Sequence, residues 1–208
     1  DPATGDRPRA APRLTMMDLA RVRRALKSTS VDGAARGPGR HAAVASVLRE
    51  GPRGAEVLLI RRAEHPEDPW SGHMAFPGGR HDETDADLLT TAQRETLEEV
   101  GLDLTRDGTL IARLDDMPAI ARGKPAGLTI APFVFELLRA VDLAPNHEVE
   151  ETIWVPLSAL MTPELVTTKH YTYEGRELAL PAWDVDGRII WGLTHRMLAN
   201  LLDTLRDA

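Results

Sequence analysis

The chain has 208 residues, 42% of them hydrophobic, a net charge of −7 and no cysteine, which bounds it to about one domain's core with extensions. The acidic balance argues against broad binding to nucleic acid or an anionic membrane, and the lack of cysteine excludes disulfides and thiol chemistry and fits a reducing cytoplasm. No apolar run reaches the roughly 18 to 20 residues of a membrane span; the opening DPATGDRPRAAP has no signal-peptide apolar region, and a start at Asp1 rather than Met leaves the native N-terminus open.

Residues 1–13, rich in Pro and Arg, read as a disordered tail. Residues 14–40 read as an N-terminal helix and linker: LTMMDLARVRRALKS has Thr15 and Asp18 spaced as a capping box and Leu19, Val22 and Leu26 on one face, followed by DGAARGPGR. The main domain is expected over 41–208. It begins with strand signals at HAAVASVL and EVLLIRR around a turn at EGPRG, then a loop, EHPEDPWSGHMA. After a helix over 85–100, strands are expected at TLIARL, LTIAPFVFEL, EETIWVPL, HYTY, ELAL and RIIWG. The last segment, LTHRMLANLLDTLRDA, repeats Leu193, Met197, Leu201 and Leu205 as an amphipathic helix, a stripe that leaves room for a homodimer. There is no internal repeat, and the order suggests an α/β (α+β) fold, one mixed sheet with helices on its faces.

Most of the chemistry sits in FPGGRHDETDADLLTTAQRETLEEVGL, residues 76–102. Thr84 or Asp85 can cap the helix, Leu89, Ala92, Thr96 and Val100 form its core stripe, and Gly101 closes it. Glu95, Glu98 and Glu99, at i, i+3 and i+4, gather on another face with no lysine among them. Such carboxylates repel by about a few tenths of a kcal/mol per pair in water and by more when shielded. Arg94 can offset part of this charge, but one guanidinium cannot neutralise three carboxylates. A hard divalent cation with oxygen ligands can, and Mg²⁺ joins a few carboxylates to substrate phosphates. Gly78 and Gly79 let the backbone approach a ligand or metal. A Glu-rich surface helix after a turn is the plain alternative.

The full pattern resembles the Nudix box: Gly, five residues, Glu, seven residues, then Arg-Glu-aliphatic-x-Glu-Glu-x-Gly-aliphatic. Gly79, Arg94, Glu95, Glu98, Glu99, Gly101 and Leu102 match. Asp85 stands at the Glu position with eight residues rather than seven before Arg94, and Thr96 replaces the aliphatic residue. The Asp and the extra residue are similar to the coenzyme A pyrophosphatase branch of the family. So are LLIRRAEHPEDPWSGHMAFPGG before the box and EVEETIWVPLSAL and YTYEGR…IIWGLT after it, so the resemblance covers roughly residues 41–205.

The resemblance implies a Nudix fold, a mixed β-sheet sandwiched between helices, and hydrolysis of a pyrophosphate bond with one to three Mg²⁺ or Mn²⁺ ions. The substrate implied is coenzyme A, an acyl-coenzyme A or a related nucleoside diphosphate derivative. The alternatives are another Nudix substrate (a dinucleotide, nucleotide sugar or nucleoside triphosphate) or a non-catalytic nucleotide sensor; the intact Arg-Glu-x-x-Glu-Glu core argues against the sensor. Glu95, Glu98 and Glu99 are the implied metal ligands, with the Gly79 carbonyl a further one. Arg94 orients these carboxylates, and Asp85 either supports the site through the helix start or is a plain N-cap. The general base is a box Glu or one of Glu148, Glu150 and Glu151, with Glu150 taken forward. Arg61, Arg62, Arg80 and Lys169 are candidates to contact phosphates or else solvated charges, and Trp70 and Trp191 either stack on an adenine or fill the core. His65, His73 and His81 lack zinc-ligand spacing. The expected partner is a small-molecule nucleotide, not nucleic acid or membrane. The loop Glu64–Asp68 is acidic, hence a poor receptor for the extra 3′-phosphate of coenzyme A.

Overall fold

A computed structural model describes residues 17–206 apart from 28, 69, 122 and 123; the expected tail and Thr15 lie outside them. The first helix, α1 (Leu19–Leu26), is capped by Asp18, whose carboxylate accepts from the Arg21 N–H at 2.7 Å. Asp18 is thus the N-cap itself rather than the third residue of a capping box. Leu19, Val22 and Leu26 are buried, as their spacing requires.

Strands β1 (Arg40–Gly51) and β2 (Gly54–Arg62) form an antiparallel hairpin. On its other side β1 runs parallel to β7 (Lys124–Leu137), with Ala42 opposite Ile130 and Leu48 opposite Glu136. This parallel pairing among antiparallel ones makes the sheet mixed. Its spine is β3 (Met74–Ala75), β2, β1, β7 and β5 (Gly108–Arg113), with β4 (Gly78–Arg80) on β1, β6 (Met117–Ala121) on β7 and β8 (Val149–Pro156) on β2.

Alternation along β1 and β2 separates two apolar layers. Leu48, Ala55, Val57 and Leu59 pack with α1 and with α5 (Gly192–Arg206), and those two helices lie against one another. Ala43, Ala45, Val47, Leu58 and Ile60 pack on the opposite face with α2 (Leu88–Val100). Because both faces are covered, β2 reads as an unbroken apolar run, VLLI. Each such side chain contributes about 1.5–3 kcal/mol on burial, against about 0–1 kcal/mol for an exposed ion pair, so these layers hold the sheet.

Three expectations change. The strands β9 (Val166–Tyr173), β10 (Arg176–Val185) and β11 (Arg188–Trp191) do not extend the main sheet but form an antiparallel sheet of their own. The stripe of α5 is covered by the chain's own core: Met197, Leu198, Leu201, Leu202 and Leu205 are all buried. That stripe is therefore not the free face that left room for a homodimer. Short helices α3 (Leu104–Asp107) and α4 (Leu157–Leu160), strands β4 and β6, and a 3₁₀ turn at Pro163–Leu165 join the expected elements.

The segment between α1 and β1 is strapped across the molecule. Gly33 O accepts from the Leu88 N–H at 2.9 Å, and the fully buried Arg113 donates to Asp32 O at 3.0 Å, Ala34 O at 2.6 Å and Asp116 Oδ1 at 2.8 Å. Among the described residues no helix is long and apolar enough to cross a membrane.

Candidate active site

Helix α2 starts at Leu88, three residues later than expected, with Asp87 as N-cap accepting from the Thr90 N–H at 2.8 Å. Asp85 is therefore not the cap; its carboxylate is engaged elsewhere. Arg94 grips it with two parallel bonds, Nε to Oδ1 at 2.8 Å and Nη2 to Oδ2 at 2.9 Å. Thr91 Oγ1 and the Asp82 N–H also donate to Oδ2. These donors, Arg94 first, hold the Asp85 carboxyl well below the usual carboxylate range even though burial opposes them.

Anchored so, Arg94 reaches further. Its Nη1 contacts Glu95 Oε1 at 2.8 Å and Glu98 Oε2 at 3.2 Å, and Nη2 donates to the Arg80 carbonyl at 3.1 Å. One guanidinium thus ties the loop before α2, β4 and two of the three box carboxylates. The core-facing side holds Leu88, Thr91, Ala92, Thr96 and Val100, with Leu89 only partly buried. Thr96 tolerates its buried position by donating to the Ala92 carbonyl at 2.7 Å.

Glu99 sits deepest, 2% exposed. Its Oε2 accepts from the Gly78 N–H at 2.9 Å, and Arg62 Nη1 stands 3.8 Å from Oε1. Burial pushes its pKa up to about 7, with the Gly78 N–H and Arg62 opposing. Burial also raises Glu95, against Arg94. Backbone lies directly over these acids: a Cβ on Gly79 would collide with the Glu95 carboxylate, and Gly78, at φ 153°, has no room for one against Ala43 O and Val44.

A second segment closes over the end of α2. Gly101 ends the helix at φ 70°, and the carbonyls of Glu99 and Val100 accept from the N–H groups of Asn146 (2.9 Å) and Ala144 (2.8 Å). This docking brings Glu148 close enough for its charge to act on both Glu95 and Glu99. Glu150 turns instead to Arg61, 3.3 Å away, and Glu151 is forked onto Arg188. Arg62 is tied to Asp68 at 2.8 Å as well as facing Glu99, and Arg80 reaches the cluster through its carbonyl while the residue is exposed. Trp70 packs on the core, with Nε1 3.4 Å from Ile120 O. Asp87 and the docking through Asn146 were missed in the sequence: three aspartates in DETDAD look alike as caps, and a loop's backbone contacts leave no residue signature.

Among the described residues no three acidic or histidine side chains close around a single point fit for an ion; Glu95 and Glu98 face Arg94. The donor set is nonetheless all hard oxygen, and Glu99 is a buried carboxylate with one backbone donor and an arginine beyond hydrogen-bond range. Both suit a small divalent cation.

A NUDIX domain model matches residues 39–174, more than half of the chain. The chain belongs to the Nudix family. Among Nudix relatives, the mitochondrial coenzyme A diphosphatase NUDT8 of Mus musculus is 31% identical over 150 residues, 68% of this chain and 67% of that protein. An uncharacterized protein of Schizosaccharomyces pombe, C14C4.10c, is 41% identical over 114 residues, 53% of this chain but 35% of its own length. The chain thus spans about a third of one curated relative and two thirds of the other. A MutT/nudix family protein from Enterococcus faecalis superposes with a TM-score of 0.51 at 15% identity, covering 91% of this chain and 70% of that one, which shows the shared Nudix fold.

Proposed function

We propose that the chain is a divalent-metal-dependent hydrolase of the pyrophosphate bond in a nucleoside diphosphate derivative, with coenzyme A or an acyl-coenzyme A as substrate. The observation that carries this reading is the assembly around α2: Asp85 fixes Arg94, Arg94 holds Glu95 and Glu98, and Glu99 is pinned under Gly78. The 31% identity to a coenzyme A diphosphatase supports the substrate.

Nudix hydrolases generally use divalent cations, and Glu95, Glu98, Glu99 and the Gly79 carbonyl would hold Mg²⁺ or Mn²⁺ here. When bound, the cation supplies positive charge to the phosphate oxygens and acidifies water for attack. The chain's own part is positional and basic. Glu95 and Glu98, now held by Arg94, would be released to such a cation, while Asp85 keeps the guanidinium in place. Glu148 takes the proton of the attacking water; Glu150 and Glu151 are drawn off by Arg61 and Arg188. Attack at the pyrophosphate of coenzyme A gives 3′,5′-ADP and 4′-phosphopantetheine.

The test is a panel of coenzyme A, acyl-coenzyme A, dinucleotides, nucleotide sugars and nucleoside triphosphates with Mg²⁺ or Mn²⁺, products identified by mass. Those two products, lost on chelation, are expected; turnover unaffected by chelator would sink the reading. Glu148→Gln should lower kcat by about 10²- to 10⁴-fold and remove the acid limb of the pH–rate profile. An unchanged limb would return the role to a box carboxylate.

A further inference from the structure

Beyond the box carboxylates, the second sheet closes a cleft of about 240 Å³ whose lining includes Arg61, His73, Lys169, Arg188 and Trp191. Trp191 is its aromatic wall: the His73 ring lies 4.8 Å away, the Tyr171 ring 5.5 Å, and Lys169 Nζ 5.7 Å over the indole. Three cations meet in a small space, and their charges are unequally spent. Arg188 is forked onto Glu151, with Nε at 3.0 and 2.9 Å from the two oxygens, and Arg61 stands 3.3 Å from Glu150. Lys169, among the described residues, has no carboxylate within ion-pair distance; its neighbour is the Trp191 ring. An ammonium over an indole gains about 0.5–1 kcal/mol at an exposed site, which leaves most of its capacity for an anion unused.

The placement is built by register. In β9, Val166, Thr168 and His170 are exposed while Thr167, Lys169 and Tyr171 are partly buried, and Lys169 pairs with Leu180 of β10. The hairpin then returns Arg188 and Trp191 on β11. The cleft and the box site draw on consecutive residues of one strand. Arg61 and Arg62 flank the bulge at the end of β2; Arg61 lines the cleft, and Arg62 stands 3.8 Å from Glu99. Whole-ligand pockets run to about 300–1,000 Å³, so this one takes a single group of a larger molecule. A lysine point charge beside two arginine forks is suited to phosphate.

We propose that this cleft receives a phosphomonoester on the nucleoside part of the substrate, separate from the pyrophosphate that is cleaved, with Lys169 as its specificity-determining residue. This rests on the pyrophosphatase reading above and goes beyond it in naming the group recognised. It also replaces the expectation drawn from the acidic loop Glu64–Asp68: the cations come not from that loop but from β2, β9 and β11. The NUDIX model match ends at residue 174, so Arg188 and Trp191 lie beyond it.

The test measures binding of adenosine 3′,5′-bisphosphate and adenosine 5′-monophosphate to the full chain by calorimetry. Wild type should bind the bisphosphate at least about tenfold tighter, the scale of one charged hydrogen bond. Lys169→Met, which keeps the stem over Trp191, should reduce that ratio to about twofold, as should Lys169→Ala; Lys169→Arg should keep most of it. A wild-type ratio below about twofold, or a tenfold ratio that survives both neutral variants, overturns the proposal. The ratio of kcat/KM for coenzyme A over dephospho-coenzyme A should follow the same order, through KM. Binding ratios as expected with neither compound hydrolysed would uphold the cleft and defeat the reaction; hydrolysis of both compounds without preference would defeat the cleft and uphold the reaction.

Discussion

Asp85 shows how much one carboxylate can settle. It is 3% exposed at its side chain, and it is the residue that keeps Arg94 from folding back wholly onto the acids. Asp85→Asn leaves a half-buried guanidinium short of its strongest partner. The expected cost is about 2 kcal/mol, below the roughly 3–5 kcal/mol of a fully buried pair because Arg94 keeps some contact with water. Activity should fall by about 10- to 100-fold, as for other groups that orient metal ligands; urea unfolding and steady-state kinetics check the two numbers separately. Glu98→Gln should behave differently. Glu98 is half exposed and, among the described residues, its carboxylate is paired with Arg94 alone, so stability should hold within about 0.5 kcal/mol while turnover falls by at least about a hundredfold. A variant that turned over normally would remove Glu98 from the proposed metal site. Asp107 gives a pH test away from the site. It is fully buried, accepts from Arg106 and Arg139, and its pKa is held down at about 2 by those partners. A lowered carboxylate stabilises the fold above the ordinary aspartate value near 4 and loses that contribution as pH falls through 2. The gap in urea midpoint between wild type and Asp107→Asn should therefore be constant from pH 7 to 5 and shrink toward pH 2.

At the scale of elements, the contact between β4 and α2 is the one most sensitive to a single atom. Gly79→Ala places a methyl where the Glu95 carboxylate lies. That carboxylate is the far end of a flexible side chain, so it can move and the fold survives; as the proposed metal ligand, displaced by ångströms, it would not serve. The variant should lose activity far more than melting temperature, and equal losses would mean that Gly79 matters for packing alone. Much of this layer was legible. Leu19, Val22 and Leu26 named the buried face of α1, and Gly101 marked the end of α2, because side-chain periodicity and a left-handed cap are local properties. The beginning of α2 was not, since among Asp82, Asp85 and Asp87 the cap is decided by which carboxylate Arg94 takes, a contact nine residues long. Nor was the separate sheet of β9 to β11: alternation identifies a strand but not its neighbour. That is why Lys169 could be noticed singly but not as the wall of a cleft, and why Arg188 was not noticed at all.

For the whole molecule, two apolar layers on one sheet were foreseeable from runs such as VLLI, but the strap between α1 and β1 was not, because a Gly- and Arg-rich stretch reads as a linker. Its lock is Arg113, wholly buried beneath the strap. Arg113→Leu would leave the Asp32 and Ala34 carbonyls and Asp116 without their donor and should cost about 3 kcal/mol, seen as a lowered urea midpoint with unchanged slope. A loss under 1 kcal/mol would mean the strap holds without it. The packing of α1 against α5 has another consequence. Two helices from opposite ends of the sequence sit side by side on the face away from α2, so chain order is not what holds them together. A circular permutant, with Arg206 joined to Met17 by a flexible linker and new ends opened at the exposed turn Glu174–Gly175, keeps every layer and both strands of the β1–β7 pair. It should fold, and its box chemistry should persist while β9, now at a free end, loosens the grip of Lys169.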